Sequence, residues 1–155
     1  MRAVGREKGW THANQMTGEG VENTPDGGAD IDAAAYAGGA SAEEVNLATG
    51  SGAGGDAQGD TLTAIENVIG SAHADTLTGD GAANTLDGGA GIDTASYASS
   101  ASAVAVNLAT GPGAGGDAQG DTLAAIENVI VSAHADTLTG DRSEEHTSDL
   151  PSCTH

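Results

Sequence analysis

The chain has no phenylalanine, a single cysteine and only four basic residues in 155 positions. Each scarcity excludes something. Leu, Ile and Val number 22, roughly 14% of the chain, and the only aromatics are Trp10, Tyr36 and Tyr97. An ordinary core of bulky side chains is therefore ruled out, and the 37% hydrophobic content rests mostly on 30 alanines. Few large apolar residues with a net charge of −19 is the composition of intrinsic disorder. One cysteine, Cys153, allows no internal disulfide. The basic residues are Arg2, Arg6, Lys8 and Arg142, so Gly9 to Asp141 holds 19 acids and no counter-charge. Nucleic acid and anionic membrane surfaces are unsuitable partners for such a segment, and an external cation is the obvious one. No run approaches the roughly 18 apolar residues of a membrane helix, which argues against membrane insertion. Met1 to Gln15 lacks the apolar stretch of a cleavable signal peptide.

Repetition is what the chain has instead. Residues 26–80 and 87–141 align without gaps at an offset of 61, with 45 of 55 positions identical. A weaker copy, 12–30, resembles 73–91. Such repeats point to a stacked, quasi-linear architecture, the alternative being duplication of a disordered low-complexity segment. Within them runs a period of nine. Residues 70–78, 79–87 and 88–96 read GSAHADTLT, GDGAANTLD and GGAGIDTAS. Each begins with Gly, has Asp75, Asn84 or Asp93 sixth, and has Leu77, Leu86 or Ala95 eighth. Residues 9–35 give three more nonads, and a further block begins at 131. The chain thus divides into a non-repeat segment 1–8, nonad blocks 9–35, 70–96 and 131–141, and spacers 36–69 and 97–130. The tail 142–155, RSEEHTSDLPSCTH, departs abruptly from the repeat and resembles a translated sequencing adapter. Its Glu144, Glu145, His146, Cys153 and His155 imitate a transition-metal cluster, and it is set aside as non-native.

Physical chemistry gives the nonad a meaning. A G-G-x-G turn places residues where positive φ or close backbone approach is needed. Its carbonyls cannot all find N–H partners. A hard cation can gather them with the sixth-position carboxylate, and calcium, taking 6–8 oxygens in flexible geometry, suits this better than magnesium. The following triplet, as in Thr76-Leu77-Thr78, alternates like a strand.

The pattern is similar to the G-G-x-G-x-D-x-U-x repeat of RTX, or haemolysin-type, calcium-binding proteins. GGAGIDTAS at 88–96 matches nearly in full, and the resemblance spans roughly 9–141 if spacers are included. It implies an all-β, calcium-dependent parallel β-roll or β-solenoid. Each nonad would form half a turn, with calcium between turns stacked on one edge. Nonads two apart would then share an ion. Asp75 and Asp93 would join the turns beginning at Gly70 and at Gly88, Gly89 and Gly91. Asn14 and Asp32 would join 9–14 to the turn holding Gly27 and Gly28. Asn84, on the other edge, and Asp136 have no good partner in this scheme, and Asp60 and Asp121 are second-tier ligands. Departures weaken the first block: Asp30 for the fourth Gly, Pro25 in an apolar slot, and Asn14 and Asn23 for Asp. His73 and His134 are expected to be exposed turn residues rather than ligands.

The spacers are expected to continue the stack as irregular β turns, or else to be flexible linkers. Val104-Ala105-Val106-Asn107-Leu108 alternates like a half-buried strand, and its first copy at 43–47 begins Glu43-Glu44. No HExxH, GxSxG or GxxxxGK[ST] motif occurs, so no enzymatic activity is expected. The expected function is a calcium-binding structural module of a larger secreted bacterial protein (toxin, adhesin or exoenzyme). The resemblance implies type I export, an extracellular or cell-surface location, calcium as cofactor, and contact with adjacent repeats of the parent chain. The alternatives are an adhesion or ice-binding segment, suggested by Thr-x-Thr at 61–63, 76–78 and 137–139, or the non-catalytic appendage of a secreted hydrolase.

Overall fold

A computed structural model of the chain describes residues 13–18, 20 and 22–140. Expectations for 1–8, for the opening of the first nonad and for the tail 142–155 lie outside the described residues. So do all four basic residues.

The fold is all-β, built from very short strands in several largely parallel sheets. In chain order the strands are β1 (Gln15–Thr17), β2 (Ala33–Ala35), β3 (Glu44–Asn46), β4 (Ser51–Ala53), β5 (Asn67–Ile69), β6 (Thr76–Thr78) and β7 (Thr85–Asp87). Then come β8 (Thr94–Ser96), β9 (Ala105–Asn107), β10 (Gly113–Ala114), β11 (Thr122–Ala124), β12 (Asn128–Ile130) and β13 (Thr137–Thr139). Two 3₁₀ turns, Gly55–Ala57 and Gly116–Ala118, sit at equivalent places in the two copies. Among the described residues no helix is long and apolar enough to cross a membrane.

The nonad's eighth position explains the strands. A three-residue strand sends only its middle side chain to one face. Leu77, Leu86 and Ala95 are those middle residues in β6, β7 and β8, and all are fully buried. Met16, Ala34, Val45, Val68 and Val106 do the same in β1, β2, β3, β5 and β9. The second nonad of the first block forms at 24–26 only an isolated bridge, Asp26 to Thr63. Pro25 at its centre has no N–H for a ladder, although its carbonyl accepts from Thr63 N at 3.0 Å.

One sheet runs β1-β2-β5-β7-β11, all parallel. A second runs β12-β8-β6-β3-β4, and a third β10-β9-β13. Consecutive strands β5, β6, β7 and β8 alternate between the first and second sheets. Nonads two apart therefore pair, Met16 lying opposite Ala34 and Leu77 opposite Ala95, and the spacer's Val68 lies opposite Leu86 at the same separation. The spacers join the same sheets. Val45 pairs with Leu77, Ala34 with Val68, and Leu86 with Leu123. Their extra length is absorbed in the antiparallel pairs β3/β4 and β9/β10 and in the 3₁₀ turns. Inward residues of all three sheets meet in one hydrophobic cluster, which also takes in Tyr36 and Tyr97 at 1% exposure each.

Two differences between the copies form one coupled exchange. In the first, Glu43 is buried and its carboxylate accepts from Asp56 N (2.9 Å) and Ala57 N (2.8 Å), capping the 3₁₀ turn. In the second, Val104 replaces Glu43, and Ser100, standing where the first copy has Gly39, accepts from Asp117 N at 3.0 Å. Gly39 leaves room that Glu43 fills: a β-carbon there would collide with the Glu43 carboxylate.

Glu43→Val alone should destabilise by about 1–3 kcal/mol, because buried N–H groups lose their acceptor. Adding Gly39→Ser should recover a large part, giving a favourable coupling in a denaturant-melt double-mutant cycle. In the same assay Leu86→Ala should cost about 2–5 kcal/mol. Ile92→Ser, at 65% exposure, should stay within about 0.5 kcal/mol.

Candidate metal centre

The residue just before each strand carries the chemistry. Eight backbone N–H groups donate to a carboxylate of a neighbouring turn, seven of them from such a position to the residue leading another strand and the eighth, Asn23, between two bridge segments. Asn14 N donates to Asp32 Oδ1 (2.7 Å), Asp32 N to Glu66 Oε2 (2.8 Å), and Asn23 N to Asp60 Oδ1 (2.7 Å). Glu43 N donates to Asp75 Oδ1 (2.7 Å), Asp75 N to Asp93 Oδ1 (2.7 Å), and Asp93 N to Glu127 Oε2 (2.8 Å). Asn84 N donates to Asp121 Oδ1 (2.9 Å) and Val104 N to Asp136 Oδ1 (2.8 Å). In every case the acceptor lies later in the chain than the donor. Bonds of this kind to an ionised acceptor are short and strong. They fix the spacing of successive turns as the sheet ladders fix the strands.

The expected pairs come together. Asp75 and Asp93 lead adjacent strands β6 and β8, and Asn14 and Asp32 lead β1 and β2. Two expectations are corrected. Asn84 does lie on the other edge, but it has partners: its backbone binds Asp121, and its Nδ2 donates to the Glu66 carbonyl at 2.8 Å. Asp136 is also partnered, by Val104 N and by Ser132 Oγ at 2.8 Å. Both partners come through spacers whose length is not a multiple of nine, so a nine-residue count cannot find them. Asp60 and Asp121 are tied inward. Their Oδ2 atoms accept from Tyr36 Oη (2.9 Å) and Tyr97 Oη (2.8 Å). With both oxygens engaged, they are weaker candidates for a cation than Asp93. His73 and His134 are exposed.

Around the turns 70–75 and 88–93 the donors are oxygens. Ser71 N and Oγ hold Asp75, at 2.6 Å to Oδ2 and 2.9 Å to Oδ1. A β-carbon at Gly70 would lie 2.5 Å from Asp75 Oδ2 and 2.7 Å from the Gly88 carbonyl. At Gly91 it would lie 2.5 Å from the His73 carbonyl and 3.2 Å from Asp93 Oδ1, and at Gly89 it would strike the Ser71 carbonyl. Gly89 and Gly91 also need positive φ, at 85° and 153°. Gly28 matches Gly89 at 97°, whereas Asp30, in place of the fourth Gly, has no positive φ. Asp32 Oδ2, Asp93 Oδ2 and Asp136 Oδ2 are buried with no hydrogen-bond partner. Among the described residues no three His, Cys, Asp or Glu side chains converge on one point. A cation here would be held by one or two carboxylates and several carbonyls. That donor set fits calcium and lacks the nitrogen and sulfur ligands typical of structural zinc.

Sequence reasoning missed Glu43, Glu66, Glu127 and both tyrosines. Glu66 and Glu127 recur in the repeated IENVI, an acid set among apolar residues, which is a visible signal. The threonine pairs do not form one array. Thr76 and Thr78 lie on the second sheet beside Glu44 and Asn46, and Thr137 and Thr139 lie on the third.

Burial sets the electrostatics. It pushes the carboxyls of Glu43, Asp60, Asp93 and Asp121 above the usual range, against the N–H bonds that lower them. It also raises the Tyr36 and Tyr97 hydroxyls, with Asp60 and Asp121 adding to the effect. A carboxyl whose folded pKa exceeds its unfolded one binds more protons in the folded state. Its stabilising contribution is present below the unfolded value and is lost as pH rises through the folded one. In EDTA the folded fraction, read by circular dichroism, should therefore grow as pH falls from 7.5 towards 5. A protein held by salt bridges from carboxylates to basic side chains would move the opposite way.

Comparison with known proteins matched no family model, no curated protein and no solved structure.

Proposed function

We propose that the chain is a calcium-binding structural module, a β-roll of RTX-like nonads from a larger secreted bacterial protein, whose folding is completed by calcium outside the cell. The observation that carries this reading is Asp93. It is wholly buried, its Oδ2 has no partner, and it stands in the turn pair with Asp75 among backbone carbonyls. The 19 acids without a basic residue between Gly9 and Asp141 add a general need for cations. Burying even one uncompensated carboxylate is costly, and a divalent ion at the turns removes that cost. Adjacent repeats of the parent chain are the other partner: Leu138, the eighth residue of its nonad, is 50% exposed at the edge of the third sheet.

The energetics suit a switch driven by export. Extracellular calcium sites have dissociation constants of about 10⁻⁴–10⁻³ M. At roughly ten times that concentration each ion contributes about 1.4 kcal/mol, and two or three contribute about 3–4 kcal/mol. Metal binding is then folding free energy. The chain stays largely unfolded at low calcium and passes an exporter as an acidic, disulfide-free polymer.

A second reading, a metal-independent stacked segment for surface adhesion, is favoured by the eight carboxylate-to-N–H bonds, which link the turns without an ion. Circular dichroism separates the two. Under the calcium reading, β signal grows on titration to about 10 mM calcium, on the order of ten times the weaker constant, and Asp93→Asn blunts the response. A β spectrum already complete in EDTA and unmoved by calcium would favour the second reading.

A further inference from the structure

A second kind of turn contact occurs once in each copy, outside the nonad pairs. The loop entering β5 packs on the 27–32 turn, and the loop entering β12 packs on the 88–93 turn. Asp32 O accepts from Glu66 N (3.1 Å) and Asn67 N (3.0 Å), and Asp93 O accepts from Glu127 N (3.1 Å) and Asn128 N (2.9 Å). In return Asp32 N donates to Glu66 Oε2 and Asp93 N to Glu127 Oε2, each at 2.8 Å. Each joint thus ties an acidic residue of the nonad turn to an acidic residue of the spacer loop, with no lysine or arginine among the described residues.

Three further features converge there. Asp32 and Asp93 are 0% exposed, and the Oδ2 of each has no partner. A β-carbon at Gly27 would strike both Asp32 Oδ2 and the Ala64 carbonyl, and one at Gly88 would strike both Asp93 Oδ2 and the Ala125 carbonyl. The orphan oxygen and a backbone carbonyl therefore border the same small space. Ala64 and Ala125 are also the non-glycine residues with positive φ among those described, at 50° and 49°. That conformation is unfavourable for a residue with a β-carbon, and it is what turns these carbonyls toward the glycine. A water there would satisfy Oδ2 but leave two like charges uncompensated. A hard divalent cation would do both.

We infer that each copy carries an additional calcium-class cation site at the joint between a nonad turn and a spacer loop, formed by Asp32, Glu66 and the Ala64 carbonyl, and by Asp93, Glu127 and the Ala125 carbonyl. The inference rests on the calcium reading: it shares Asp32 and Asp93 with the nonads and adds Glu66, Glu127 and the Ala64 and Ala125 carbonyls from the spacers. It makes the spacers part of the binding machinery. Each spacer loop is fastened to the preceding nonad by an ion as well as by strand pairing.

Isothermal titration of the full chain with calcium chloride tests it, comparing wild type, Glu66→Gln/Glu127→Gln and Asp75→Asn. Glutamine keeps an acceptor for the Asp32 and Asp93 N–H groups and removes the charge. The double variant should bind two fewer ions per chain than wild type. An unchanged ion count, alongside a loss in Asp75→Asn, would overturn this inference and leave the nonad reading intact. A loss in the double variant with no change in Asp75→Asn would uphold the inference against the nonad pairs. No calcium binding by wild type would overturn both. Should the double variant fail to fold, wild-type amide NMR decides. Saturable shifts at Ala64, Glu66, Ala125 and Glu127 during the titration support the sites, and stationary peaks there refute them.

Discussion

The structure depends on placing an acidic side chain at the head of eight of its thirteen described strands and burying five of them. Those five are Asp32, Glu43, Asp75, Asp93 and Asp121, and Asp60 is buried as well, in a chain whose central 133 residues, 9–141, contain no lysine or arginine. Each reaches across to a backbone N–H of a neighbouring turn, so the side chain that costs most to bury also sets the turn spacing. The N–H bonds favour the charged form, and burial disfavours it. For Glu43, Asp60, Asp93 and Asp121 burial wins. The stack is therefore under electrostatic tension that protonation or an external cation relieves.

The thin core follows from the same geometry. A three-residue strand contributes one inward side chain, so stacking short strands needs little leucine and no phenylalanine. What the strands cannot fill, Tyr36 and Tyr97 do. Their hydroxyls close on Asp60 and Asp121, joining the apolar interior to the carboxylate ladder. A composition that reads as disordered is thus compatible with an ordered stack, provided the carboxylates are satisfied.

The parts of this that repeat every nine residues were legible in the sequence. Gly70, Asp75 and Leu77 announce a turn, a ladder residue and a core residue, and their partners 18 residues on are found by counting. The partners of Asn84 and Asp136 were not legible. They are reached across spacers that hide an antiparallel excursion and a 3₁₀ turn, and such excursions follow from local glycine geometry rather than from any period. The Tyr–Asp bonds span 24 residues and join residue types that give no pairing signal. The exchange of Glu43 and Gly39 for Val104 and Ser100 carries no signal in the sequence, because its members are linked only through the equivalent 3₁₀ turns that Glu43 and Ser100 bind.

Amide hydrogen exchange is the most direct test of whether the carboxylate ladder needs a cation. The decisive amides are those of Asn14, Asn23, Asp32, Glu43, Asp75, Asn84, Asp93 and Val104, which donate to the ladder. Charge compensation by calcium predicts that all eight are protected together in calcium and exchange freely in EDTA at pH 7.5. Equal protection in both conditions would contradict the account.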